Sequence, residues 1–134
     1  MVIRNVLFVC IGNICRSPMA EALARKYGSD VLVAKSAGLT PAMVTTSVTR
    51  AVLRERNVDL GDHMPRSLDE LDLSGFDLIV NMSGMKLPPG IGVPVEDWAV
   101  SDPYGSSESV YRKVCDDIES RVMRLILRIR TGKA

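Results

Sequence analysis

The chain has 134 residues, 46% hydrophobic and 25% charged, and 17 basic against 16 acidic side chains leave a formal charge of +1. That composition can bury a core, which excludes bulk disorder, and the even balance lacks the basic footprint of a nucleic-acid binder. No apolar run approaches the roughly 18 residues of a membrane span, Met1–Val9 is too short and too weakly basic for a secretory signal, and three cysteines make no disulfide framework, so a reducing, cytoplasmic setting is expected.

No repeat, low-complexity block or Gly/Ser/Pro linker divides the chain, so a single domain over residues 1–134 is expected. Ile3–Val9 is short, β-branched and followed by a Gly-containing turn, which reads as a buried parallel strand. Pro18 suits the first turn of a helix capped by Ser17 and running to Tyr27, with Met19, Ala22 and Leu23 inward and Gly28 as its stop. Val31–Lys35 reads as a second strand, Ser47–Arg56 as a second helix, Phe76–Asn81 as a third strand and Val93–Asp97 as a short fourth. Val110, Val114, Ile118, Val122, Ile126 and Ile129 recur at helical spacing and make Ser107–Arg130 a long amphipathic helix. Cys115 falls on the flank of that stripe and reads as core, and Arg121, Arg124, Arg128 and Arg130 as a solvated face. The helix is satisfied within one sheet–helix layer, so a monomer is expected. Strands alternating with helices predict an α/β fold, a three-layer sandwich whose four-stranded parallel sheet carries helices on both faces. Ligands in such sheets bind beyond the carboxyl ends of the strands, at a topological switch point, which directs attention to the loop after the first strand.

That loop reads Cys10-Ile11-Gly12-Asn13-Ile14-Cys15-Arg16-Ser17-Pro18. Gly12 and Asn13 tolerate left-handed backbone, so the amides of Ile11, Gly12, Asn13, Ile14, Cys15, Arg16 and Ser17 can converge, with the helix N-terminus, into a cradle for a tetrahedral oxyanion such as inorganic phosphate. The Arg16 guanidinium adds a planar fork suited to phosphate. Cys10 sits at the floor, where a positive cradle favours the nucleophilic thiolate, and the Ser17 hydroxyl is placed to hydrogen-bond it. A thiolate beneath a bound phosphate is set for in-line attack on phosphorus. The pattern C-x-G-N-x-C-R-S fixes six identities and arises by chance in roughly one chain in a million at average residue frequencies. A metal site from Cys10, Cys15 and His63 lacks a closed four-ligand pattern, so neither metal nor cofactor is expected.

At these residues the sequence resembles the low-molecular-weight protein tyrosine phosphatases. Their C-x5-R-S-P signature spans Cys10 to Pro18, continues through Met19-Ala20-Glu21-Ala22, and is joined by Ser36-Ala37-Gly38, His63-Met64-Pro65-Arg66 and Asp102-Pro103-Tyr104. The resemblance implies that Cys10 becomes a phosphocysteine, that Arg16 clamps the phosphate, and that Asp102 protonates the leaving oxygen. It also implies that Asn13, Ser17, Ser36 and His63 form a network bracing the loop, with His63 against Asn13, and that Cys15 is a redox partner able to shelter Cys10 in a reversible disulfide. Independently of the resemblance, an acid past the fourth strand suits a leaving group that departs faster when protonated, and Pro103 restricts the backbone of Asp102.

Three activities share this loop: tyrosine phosphatase, arginine phosphatase and arsenate reductase. Arsenate reductases regenerated through thioredoxin carry two further cysteines after the third strand, where this chain has Asn81-Met82-Ser83-Gly84-Met85-Lys86. Reduction assisted by a small external thiol stays open. Arginine phosphatases typically place Thr where Ile14 stands, and an apolar Ile14 favours an aryl group over a guanidinium. Leu39–Val44 lacks the aromatic that the family usually carries after Ser-Ala-Gly, which leaves Tyr104 as the substrate wall and Trp98 as a distant second. A phosphocysteine carrier domain would need neither Arg16 nor Asp102. The expected substrate is therefore a phosphorylated protein or small aryl phosphate, with modest affinity for phosphotyrosine.

Overall fold

The computed structural model describes residues 3–133, so part of Met1–Val9 lies outside the described residues. In chain order the elements are β1 (Arg4–Cys10), α1 (Arg16–Gly28), β2 (Leu32–Gly38), α2 (Ser47–Arg54), β3 (Leu78–Asn81), β4 (Val95–Asp97) and α3 (Glu108–Arg130). The strands pair in the order β2-β1-β3-β4, parallel throughout, with Cys10 opposite Gly38 and Val9 opposite Asn81. The chain thus leaves β1 towards β2 on one side and reaches β3 on the other. The mouth of β1 is the switch point, where a crevice opens in sheets of this kind.

Period-two alternation along β1 explains why its run is apolar from Val6 to Cys10. Val6 and Phe8 join Met19, Leu23, Ile118 and Val122 in one core, while Leu7 and Val9 join Leu68 and Ile79 in another. The two coverings are unequal. All three α-helices supply the first core, including Val52 and Leu53 of α2. The second is closed by two 3₁₀ turns, Leu68–Glu70 and Leu73–Gly75, and by loop side chains such as Leu87, Ile91 and Val93.

Several boundaries differ from the sequence reading, each for a local reason. β1 and β2 extend to Cys10 and Gly38 because those two residues still pair. β3 begins at Leu78 rather than Phe76, since Phe76 closes a 3₁₀ turn and Asp77 ties both its amide and its carboxylate to Asn5. β4 begins at Val95, after Pro94, which has no N–H to give a ladder, and Gly92 in a left-handed turn. α2 ends at Arg54, and Asn57 takes a left-handed turn soon after it. Ser107 is the N-cap of α3 rather than its first residue, accepting from Val110 N.

Gly28 does not stop α1: it is the last helical residue, and Ser29 beyond it is still right-handed. Its function is spatial. A Cβ there would stand 2.7 Å from Ile126 Cγ1, so the missing side chain lets α1 close against α3. The arginines of α3 are not simply solvated. Arg130 clamps Asp30 and Tyr27 O, Arg128 pairs with Glu96, and Arg121 pairs with Asp117 and donates to Ala99 O; only Arg124 stays within its own helix, on Ser120.

Cys115 is wholly buried in the helical core, where burial pushes its thiol up to about 11. The unfolded thiol ionises earlier, at about 8.5. Above that pH the unfolded chain sheds a proton that the folded chain keeps, so stability falls as pH rises. The expected loss from Cys115 grows between about pH 8.5 and 11 towards roughly 3 kcal/mol. Urea midpoints at pH 7.5 and 10.5 check this, and Cys115→Ala should flatten the slope.

Candidate active site

The loop between β1 and α1 is held by its carbonyls. Leu39 N, Thr40 N and Ala42 N donate to the carbonyls of Cys10, Ile11 and Gly12 at 3.1, 2.8 and 3.0 Å. His63 Nε2 donates to Asn13 O at 3.0 Å, Thr49 Oγ1 to Ile14 O at 2.9 Å, and Met19 N to Cys15 O at 3.1 Å. A carbonyl only accepts, so the His63 contact places its proton on Nε2. With these carbonyls turned outward, the peptide units present their N–H groups inward. Among the described residues, no acceptor takes the amide of Gly12, Asn13, Ile14 or Cys15. The result is a nest of free donors at an α-helix N-terminus.

Ser17 does not cap α1. The N-cap is Cys15, with no side-chain cap bond, and the Ser17 hydroxyl is spent elsewhere: its Oγ lies 2.9 Å from Cys10 Sγ. Asn13 takes the left-handed backbone at φ 56, a conformation unfavourable for most residues but accessible to asparagine. It is fully buried and bonded at both polar atoms of its side chain. Nδ2 donates to Ser17 Oγ and Ser36 Oγ, both at 2.9 Å, and Oδ1 accepts from Arg66 N at 3.0 Å. Gly38 is the second backbone requirement. A Cβ on it would meet Ile11 O at 2.7 Å and Asn13 N at 3.0 Å, so Gly38→Ala is expected to push the loop out of shape. The predicted outcome, read by calorimetry and thermal melts, is at least about tenfold weaker phosphate binding and a stability loss of about 1–3 kcal/mol.

Arg16 is buried, and its Nη1 donates to Met82 O and to Val100 O, at 2.5 and 3.1 Å. These two carbonyls aim the guanidinium and leave its other edge for a ligand. Nη2 stands 3.5 Å from Asp102 Oδ2, and the Asp102 side chain is 45% exposed, open enough to exchange protons with solvent or substrate. Asp102 Oδ1 accepts from Tyr104 N at 3.1 Å, which fixes the carboxylate above the loop.

Cys10, Ile11, Gly12, Ile14, Cys15, Arg16, Ala42, Asp102 and Tyr104 line one cavity of roughly 200 Å³. Cys10, Arg16 and Asp102 therefore share one space, of the scale of a small tetrahedral group. Tyr104 stands at its rim, largely exposed. Trp98 does not reach it: the indole is buried against Phe8, with ring centroids 5.9 Å apart, and its Nε1 donates to Glu96. A larger cleft of roughly 800 Å³ opens beside β3 and β4 among residues such as Met85, Leu87, Pro88 and Trp98. Its lining carries no thiol or imidazole.

Cys15 faces away from solvent, its Sγ 3.5 Å from Tyr111 OH, and burial pushes its thiol up. Tyr111 is itself pushed up to about 12, by burial first and the bond with Cys15 second. Ser36 and His63 lie behind the loop on Asn13, as described. Sequence reasoning left four contributors without a role. Glu21 accepts from Ser36 Oγ at 2.5 Å, Arg66 reaches both Asn13 Oδ1 and Ser36 O, Thr49 holds Ile14 O, and Tyr111 meets Cys15. A signal existed for Glu21, a lone acid on the inner run Met19–Ala24; Thr49 offered none.

A model of the family described as low molecular weight phosphotyrosine protein phosphatase matches residues 5–88. The chain is 31% identical over 130 residues to the glutaredoxin arsenate reductase of Synechocystis sp. (strain ATCC 27184 / PCC 6803 / Kazusa), covering 94% of this chain and 98% of that protein. A solved arsenate reductase in the phosphate binding state superposes with a TM-score of 0.88 at 30% identity, over 95% of this chain and 99% of that one. The low molecular weight protein tyrosine phosphatase of T. tengcongensis superposes at 0.82 with 31% identity, over 93% and 99%.

Proposed function

Because the chain belongs to the low molecular weight phosphotyrosine protein phosphatase family, whose relatives include arsenate reductases as well as phosphatases, we propose that it hydrolyses aryl phosphate monoesters, phosphotyrosine among them, through a phosphocysteine on Cys10. The observation that carries this reading is the shared cavity of Cys10, Arg16 and Asp102. Hydrolysis needs a nucleophile, an oxyanion clamp, an acid and water, and nothing more.

The phosphate seats on the inward amides of the loop, with its remaining oxygens on the free edge of Arg16. Cys10 Sγ attacks phosphorus in line, and the bond to the aryl oxygen breaks as that oxygen takes the Asp102 proton. Asp102, now a carboxylate, removes a proton from water, which attacks the phosphocysteine and releases phosphate and the thiolate. Ser17 is placed to hydrogen-bond the sulfur as it leaves. Ile14 and Tyr104 offer an apolar surface to an aryl ring, worth about 0.5–1.5 kcal/mol for a stacked aromatic pair. With a single, exposed aromatic wall, affinity is modest and the aryl group loosely chosen.

A second reading is arsenate reduction, favoured by the names of the Synechocystis relative and of the phosphate-bound structure. There Cys10 forms a sulfur–arsenic bond with loss of water. An external thiol then attacks Cys10 sulfur, arsenite departs with the electron pair, and a second thiol restores Cys10 by disulfide exchange. The external thiol is invoked because the segment after β3, where Met82 is fully buried, carries no cysteine, Cys115 lies in the helical core, and the Cys15 sulfur is engaged with Tyr111 OH. Aryl phosphate, phosphoarginine and arsenate, assayed side by side with and without added thiol, decide between the readings. Aryl phosphate turnover without thiol supports hydrolysis. Arsenate turnover that consumes thiol, with no aryl phosphate turnover, reverses the order.

A further inference from the structure

A buried chain of hydrogen bonds runs from Cys10 to a carboxylate on the far side of the loop, and its direction can be read link by link. Arg66 N–H donates to Asn13 Oδ1, which turns Asn13 Nδ2 towards both serine hydroxyls. Each hydroxyl, having accepted from Asn13, keeps one proton to give. Ser36 gives its proton to Glu21 Oε1. When the Cys10 sulfur is ionised it can only accept, so Ser17 then gives it its proton at 2.9 Å, the alternative acceptor Ala37 O lying at the 3.5 Å limit. Asn13, Ser17, Ser36 and Glu21 are at most 4% exposed, so no solvent intervenes to scramble the order.

The chain has one competing arrangement. If the Asn13 amide turned over, its oxygen would face both serines, and both would donate to it. Ser17 would then no longer donate to Cys10. That arrangement takes Ser36's proton away from Glu21. Glu21 is ion-paired with Arg25 at 2.6 Å and is nearly fully buried. A buried carboxylate oxygen stripped of its donor is costly.

We propose that Glu21 is a positioning residue for the reaction at Cys10: by demanding the Ser36 proton it holds Asn13, together with the Arg66 amide, in the orientation that leaves Ser17 as a hydrogen-bond donor to the Cys10 sulfur. The proposal rests on the reading of Cys10 as the nucleophile. Glu21 never touches substrate; it acts through three intervening side chains. The other charged or titratable groups around Cys10 are Arg16 on α1, Asp102 and Tyr104 in the β4–α3 loop and Cys15 in its own loop. Around Glu21 they are Arg25 on the same helix, with His63, Arg66, Asp59, Asp62 and Glu70 from the facing loops.

The test is a double-mutant cycle read on the sulfur itself. The pH dependence of iodoacetate alkylation of Cys10, located by peptide mapping, is measured in the full chain, in Glu21→Ala, in Ser17→Ala and in the double variant. A hydrogen bond to a charged group is worth enough to move the alkylation midpoint up by about one unit in each single variant, with kcat on aryl phosphate about tenfold lower and KM little changed. In the Ser17→Ala background Glu21→Ala should add nothing further, because the link it governs is already gone. Ser36→Ala cuts the same chain from the other side and should reproduce the shift, which keeps the test available if Glu21→Ala does not fold. An unchanged midpoint in Glu21→Ala or Ser36→Ala, or equal shifts in the presence and absence of the Ser17 hydroxyl, overturns the proposal. Failure of the phosphatase reading looks different: the unaltered protein alkylates at Cys10 but turns over no aryl phosphate.

Discussion

Cys10→Ser is expected to lower aryl phosphate turnover by roughly 10⁴-fold or more while inorganic phosphate still binds with near-unchanged affinity. A serine hydroxyl at neutral pH is a far weaker nucleophile than a thiolate. Binding, by contrast, comes from amide donors and the free edge of Arg16. The bonds that shape those donors run through the carbonyls of Cys10 to Cys15, and none uses the sulfur. The only side-chain contact altered is the one with Ser17. A coupled spectrophotometric assay reads the first quantity and calorimetry with phosphate the second. Near-normal turnover would remove Cys10 from the reaction, and joint loss of turnover and binding would show that the cradle depends on the sulfur.

Asp102→Ala should produce the next largest effect, and its signature is a dependence on the leaving group. Removing a general acid costs about 10²- to 10⁴-fold where the departing oxygen is strongly basic. A nitrophenolate needs little help, whereas a phenolate needs a proton. Turnover of phenyl phosphate should therefore fall far more than that of nitrophenyl phosphate, steepening the plot of rate against leaving-group basicity. KM should change little, because the phosphate is held by the loop amides and the free edge of Arg16 rather than by Asp102. Equal losses on both substrates would assign Asp102 to positioning rather than proton transfer.

Much of this arrangement was legible in the sequence because the informative signals are local. A strand, a Gly-Asn turn and a proline-led helix in immediate succession specify the cradle, and β1 is buried on both faces, so its apolar run could not be mistaken. What could not be read is what depends on meeting residues from elsewhere. Gly28 looks like a helix stop until Ile126, nearly a hundred residues on, is seen against it. Ser17 looks like a cap until Asn13 and Cys10 claim its hydroxyl. Trp98 has the chemistry of a substrate wall but is drawn into the core by Phe8. The arginines of α3 are spaced like a solvated face, and only the fold reveals that three of them reach Asp30, Glu96 and Ala99 O.

The tethers on the loop carbonyls come from residues 39–42, from Thr49 and from His63, segments that reach it only when β2, α2 and the following turn are all in place. No fragment or half-assembled chain can therefore display the donor nest, and ligand occupancy is coupled to the global equilibrium. An anion settling there draws molecules out of the denatured pool by mass action, adding about 2.7 kcal/mol at one hundred times its dissociation constant. Were phosphate that anion, its concentration would act as a chaperone-like variable, setting how much of the chain stays folded as well as how often the site is occupied.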